Sequence, residues 1–100
     1  MISSALVPTP NAEKYITQLA KHWGHKFDIT DEDGTRIIDF GQARCFLSAE
    51  ESGLKATIEV PGAESESLET VVAEHLNRFA FREGPLTFNW SRLPDPDDAG

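Results

Sequence analysis

The chain has 100 residues, enough for one domain around one core. It carries 17 acidic against 9 basic residues, a net charge of −8. That charge repels phosphate backbones and anionic lipid, so neither nucleic acid nor a membrane is an expected partner. Cys45 is the single cysteine, so no internal disulfide can form, which suits a reducing cytoplasm. Met1 to Val7 lacks the basic region of a signal peptide, and no run reaches the roughly 20 apolar residues that span a bilayer.

Ile2 to Val7 reads as a short edge strand or an ordered arm, ended by Pro8 and Pro10. Thr9 before Pro10 reads as a helix N-cap with proline in the first turn. The helix should run to Trp23, with Ala12, Tyr15, Ile16, Leu19, Ala20 and Trp23 on one stripe and Lys14, Gln18 and Lys21 facing away. Gly24 is the expected left-handed C-cap. Lys21, His22, His25 and Lys26 crowd that end, where positive charge complements the helix dipole.

Four strands follow by pattern. Lys26 to Thr30 has Phe27 and Ile29 on one side. After the turn ending in Asp33-Gly34, Arg36 to Phe40 turns Ile38 and Phe40 toward the core. Ala43 to Ala49 points Cys45 and Leu47 inward. In the fourth, Leu54, Ala56, Ile58 and Val60 alternate with Lys55, Thr57 and Glu59. Short turns make these an antiparallel meander.

Pro61 and Gly62 stop the sheet, and Glu64, Ser65, Glu66, Ser67 and Glu69 offer caps and first-turn acids for a second helix. Its stripe is Leu68, Val71, Val72, His75, Leu76 and Phe79, with the helix expected over 67–83 until Gly84 and Pro85 end it. Leu86 to Arg92 reads as a last strand with Leu86, Phe88 and Trp90 on one face. Residues 93–100 are expected to form a disordered acidic tail beyond a domain over 1–92.

The order (β)-α-β-β-β-β-α-β predicts an α+β two-layer sandwich. An antiparallel sheet of about five strands would have both helices on one face. The other face is polar except for Ile37 and Phe46, which as neighbours would seed a homodimer or a protein-partner surface.

One constellation joins structure to chemistry. His75 lies on the stripe of the second helix, in an expected pocket between that helix and the sheet, and Arg78 and Arg82 follow three and seven residues on, sharing a side of that helix. With His22 and Trp23 nearby, such a group suits a small carboxylate, phosphate or catecholate-like anion. Arginine forks hold planar oxyanions, and histidine orients or protonates them. The competing structural reading is a core histidine bonded to the backbone, with the arginines paired to Glu74 or Glu83.

Other chemistries are weaker. His22 and His25 straddle the helix end, and Cys45 and His75 would have to converge on them to bind metal, so no metal site is predicted. Cys45 on an inward strand face reads as a small buried hydrophobe rather than a nucleophile. Asp28, Asp39 and Glu59 read as a solvated sheet face. No phosphate loop or dinucleotide fingerprint is present, and no cofactor is implied.

Three segments carry a resemblance: KHWGHKF (Lys21 to Phe27), FGQARCFL (Phe40 to Leu47) and HLNRFAFRE (His75 to Glu83), the last before a strand ending at Trp90. Together they resemble an uncharacterised bacterial family, domain of unknown function 2218, over roughly Thr9 to Trp90. The resemblance implies a small bacterial α+β domain. It also implies an association with siderophore-interacting, flavin-dependent iron reductases, sometimes as a fused segment. It supplies no catalytic residues. The expected role is a cytoplasmic accessory or ligand-binding module. The alternatives are a small enzyme using His75 as general acid–base and a dimerising scaffold.

Overall fold

The computed structural model describes residues 1–61 and 65–93. Their order is β1 (Ile2–Pro8), α1 (Ala12–Trp23), β2 (Asp28–Glu32), β3 (Thr35–Asp39), β4 (Arg44–Glu50), β5 (Gly53–Glu59), α2 (Ser65–Phe79) and β6 (Ser91–Leu93). One antiparallel sheet runs β2-β3-β4-β5-β1-β6. The sheet has six strands rather than about five, because the N-terminal segment is a full strand between β5 and β6. Its seven residues pair along β5 from Ile2 opposite Glu59 to Pro8 opposite Gly53.

Alternation decides which side is covered. Ser3, Ala5 and Val7 of β1, Ile38 of β3, Cys45 and Leu47 of β4, and Leu54, Ala56 and Ile58 of β5 are buried. The expected α1 stripe, from Ala12 to Trp23, is buried to the last residue. Val72, Leu76 and Ala80 complete the core from the α2 side. Both helices therefore lie on one face, as expected, α1 over the middle of the sheet and α2 over β5 and β1.

The ends of the elements differ from the sequence reading. Thr9 caps a turn instead of the helix: its Oγ1 accepts the Asn11 N–H at 3.1 Å. The first α1 hydrogen bond runs from the Tyr15 N–H to the Asn11 carbonyl, so the helix starts two residues after Pro10. Gly24 is right-handed (φ −62°), not left-handed; a Cβ there would meet the Ala20 carbonyl at 3.0 Å. Gln18, expected outside, is half-buried, and Val71 of the α2 stripe is exposed.

Helix α2 stops at Phe79 and not at Glu83. Turn bonds follow, Ala80 N–H to Leu76 O and Glu83 N–H to Ala80 O, before Gly84 at φ 94°. The Leu86 N–H then donates to Asn77 Oδ1 at 2.6 Å, tying the outgoing chain back to α2. Leu86, Phe88 and Trp90 do share one side, but outside the sheet; only residues 91–93 pair with β1. Leu93, expected in the tail, is thus the last residue of β6, and residues 94–100 lie outside the described part. The expected caps Glu64, Ser65 and Glu66 likewise carry no described side chains.

Asp33 (φ 51°) and Gly34 (φ 87°) make the two-residue turn between β2 and β3, both left-handed as such hairpins require. Edge strand β2 exposes Asp28, Asp31 and Glu32, charges that discourage pairing with another edge. On the uncovered face Ile37 stands directly opposite Phe46. Both are half-buried, and the Arg44 guanidinium lies 5.8 Å over the Phe46 ring. Exposed pairs Arg44–Glu59 and Arg36–Asp31 contribute at most about 1 kcal/mol each.

Candidate functional site

The last turn of α1 and the C-terminal part of α2 meet at one corner of the helical layer. His75 projects from α2 against the end of α1, rather than between α2 and the sheet. Its ring centroid lies 5.0 Å from Trp23 and 5.3 Å from His22, both rings tilted to it. Phe79, one turn on, places its ring edge-on to His22 at 6.4 Å. Beneath, Trp23 packs edge-on against Phe40 at 5.1 Å and Phe27 at 6.5 Å, and those two touch at 4.7 Å. Trp23 is buried, His75 is half-buried and His22 is exposed. The corner is thus an aromatic floor with two imidazoles at its surface.

The His75 ring is oriented from below. Its Nδ1 sits 2.8 Å from the Val71 carbonyl one turn back. A carbonyl only accepts, so Nδ1 donates in this bond, and Nε2 is the ring nitrogen left to meet a ligand. Arg78 lies one turn on from His75, is exposed, and forms no ion pair among the described residues. Arg82 does not extend this row, because α2 has already ended; its guanidinium lies 5.7 Å over the Phe81 ring. His25, also past a helix end, is exposed.

Cys45 is fully buried in the core, and burial pushes its thiol up to about 12. At neutral pH the thiol is therefore protonated, the form that is a poor metal ligand and a poor nucleophile. A cleft of about 650 Å³ opens elsewhere, at the end of the sheet between Ile2, Asp39, Arg44 and Glu59. Its cation, Arg44, is already held by Glu59 at 2.7 Å, so the cleft offers an anion little.

Among the described residues, Glu83 forms no ion pair with an arginine. One of its oxygens accepts from Thr9 Oγ1 (2.8 Å), Asn11 Nδ2 (3.1 Å) and the Tyr15 hydroxyl (2.5 Å). This clamp joins the chain after α2 to the start of α1. The hydrogen bond from Tyr15, then those from Thr9 and Asn11, hold the Glu83 carboxyl below its usual range. The same bond to Glu83, with burial, raises Tyr15 above its usual value.

The folded Glu83 binds its proton less readily than the unfolded one. Its contribution is therefore full above about pH 4.5 and is lost as pH falls through the lowered folded value. Tyr15 has the opposite sign: its contribution is full below about pH 10 and is lost as pH rises toward the raised folded value. Denaturant melts from pH 2.5 to 6 should show Glu83→Gln less stable than wild type at pH 6, with the gap closing in acid. A gap constant with pH would remove Glu83 from the clamp.

The fold is similar to that of PA4090 from Pseudomonas aeruginosa, whose structure was determined by NMR. The TM-score is 0.71 at 34% sequence identity, over 90% of this chain and 94% of that one. The family model for an uncharacterised protein conserved in bacteria, DUF2218, matches residues 4–91. The chain belongs to this family. No curated protein matches it. The DUF2218 match takes in all of α1 and α2, and with them the whole histidine corner. No helix among the described residues is long and apolar enough to cross a membrane.

Two features of the fold were not foreseen from sequence. The Glu83 clamp joins residues 68 to 74 positions apart, and its acceptor looked like the last residue of a helix. The other is Glu69, buried and held by Arg92. Only the sequence pattern of Tyr15, a tyrosine on an otherwise apolar stripe, hinted that a polar group must wait at its hydroxyl.

Proposed function

We propose that this DUF2218 domain is a cytoplasmic accessory module that binds a small oxyanion at the corner formed by His22, Trp23, His75 and Arg78. One observation carries the reading. A half-buried histidine stands on an aromatic floor with its Nδ1 already committed, beside an exposed arginine with no ion pair among the described residues. Nε2 of His75 and the Arg78 fork then meet the ligand's oxygens, and Trp23 supports a planar group. Among such ligands a catecholate suits both the aromatic floor and the cations. The resemblance to siderophore-associated domains supports testing ferric catecholates first. Arg82 is left out, since it stacks on Phe81 beyond the helix end.

A second reading rests on the uncovered sheet face, where Ile37 opposite Phe46 would serve a dimerising scaffold. An enzymatic role for His75 has less support, because no carboxylate among the described residues forms a hydrogen bond or ion pair with it. The net charge of −8 argues against nucleic acid or an anionic membrane as partner in every case.

Calorimetric titration of the full chain with catechol, citrate, inorganic phosphate and a ferric tris-catecholate separates these readings. One of the four should bind, and His75→Ala and Arg78→Ala should each weaken it by roughly tenfold, the worth of one charge-assisted hydrogen bond. Binding indifferent to both substitutions, or no binding by any, would remove the corner as a site.

A further inference from the structure

We propose that His22 and His75 together hold one divalent transition-metal ion, and that the oxyanion binds as its co-ligand. The inference rests on the reading of this corner as a ligand site and names what the histidines contribute to it.

Three observations carry it. The imidazoles come from different helices, yet their centroids are 5.3 Å apart. Two imidazoles sharing one ion at about 2.0–2.1 Å in tetrahedral geometry stand with their centroids roughly 5 Å apart. Next, His75 donates Nδ1–H to the Val71 carbonyl at 2.8 Å. That is the outer-sphere bond that fixes the tautomer of ligating histidines and raises the basicity of the other nitrogen. Third, both rings stand on helices that pack together, and the His75 ring lies against the buried Trp23. Neither ring therefore needs to be recruited from a mobile loop to reach the other.

No third histidine, cysteine, aspartate or glutamate among the described residues joins the pair. Two coordination positions therefore stay open for solvent or for the oxygens of a bidentate anion. Arg78 would oppose a bare dication but favours an ion that carries an anionic ligand, because it reaches the ligand's outer oxygens. Imidazole donors select zinc, nickel and copper over magnesium and calcium.

The test is an NMR titration of chelator-treated full-length protein with Zn²⁺, in the absence and presence of catechol. The ring signals of His22 and His75 should move together and saturate at one ion per chain, while those of exposed His25 stay still. His22→Ala should weaken binding by roughly tenfold or more. Because His22 is exposed, that variant leaves the core intact, and His75→Gln provides the matching loss from the other helix. Independent, unsaturated responses of all three histidines, or Zn²⁺ affinity unchanged in either variant, would overturn the metal proposal. If catechol still shifts His75 and Arg78 in metal-free protein, the oxyanion site stands without the ion. If neither probe moves the corner, both readings fall.

Discussion

Trp23→Ala should destabilise the protein by about 3–5 kcal/mol, the usual cost of emptying a buried indole site. Trp23 closes α1, and its ring touches Phe27 and Phe40 on one side and His75 on the other. The three aromatics pack edge to face, an arrangement that smaller side chains cannot rebuild. Trp23→Phe should recover more than half of the loss, since it restores the floor while leaving a smaller void. Chemical denaturation of the three proteins gives the comparison. Values within 1 kcal/mol of wild type for Trp23→Ala would mean that the aromatic floor is not packed as described. The same substitution should also loosen the His75 ring, which loses one of its two aromatic neighbours.

Arg92→Ala should cost about 2–3 kcal/mol, a large loss for a side chain that is nearly half exposed. The reason is its partner. The Glu69 side chain is 5% exposed and receives two hydrogen bonds from Arg92, at 2.8 Å from Nε and 2.6 Å from a terminal nitrogen. Removing the guanidinium leaves a carboxylate buried without this counter-charge, and that penalty exceeds the worth of the pair itself. The open side of Arg92 is why the figure stays below that of a fully buried pair. Exchanging both residues for methionine should be much milder than Arg92→Ala alone, because no charge is then stranded. A double variant as unstable as the single one would contradict this. The pair also fixes β6: it ties the three-residue edge strand to α2 across the end of the sheet.

Glu69 and Arg92 show where sequence reading stops. Glu69 sits among acids at the start of α2 and looks like a dipole-complementing surface residue. Which of those carboxylates is buried depends on a strand over twenty residues away, and no local pattern records it. The ends of α2 fail for a related reason. The helical spacing continues through Arg82, but a hydrogen bond from Leu86 to Asn77 and the Glu83 clamp pull the chain out of the helix at Phe79. Tertiary bonds overrode a local preference there.

Periodicity was informative wherever one face meets the core. The stripe from Ala12 to Trp23 and the alternation from Leu54 to Val60 follow from burial on one side, and both are realised residue by residue. The same logic placed His75 on an apolar stripe facing the sheet, whereas its ring lies against the end of α1. His22 and Trp23 were expected nearby, but periodicity alone does not select His22, on the outer edge of α1, as a ring it meets. Arg82 was grouped with His75 only by a helix that ends too early.

The most direct test of the central claim is a map of ligand-induced NMR shifts over the whole chain. The probe is gallium tris-catecholate, a diamagnetic stand-in for the ferric complex, with catechol alone as the simpler comparison. The account predicts shifts confined to the His22 and His75 rings, the Trp23 indole and the Arg78 side chain, with the uncovered sheet face around Ile37 and Phe46 unchanged. Shifts centred on that sheet face, or none at the histidine corner with either probe, would contradict it.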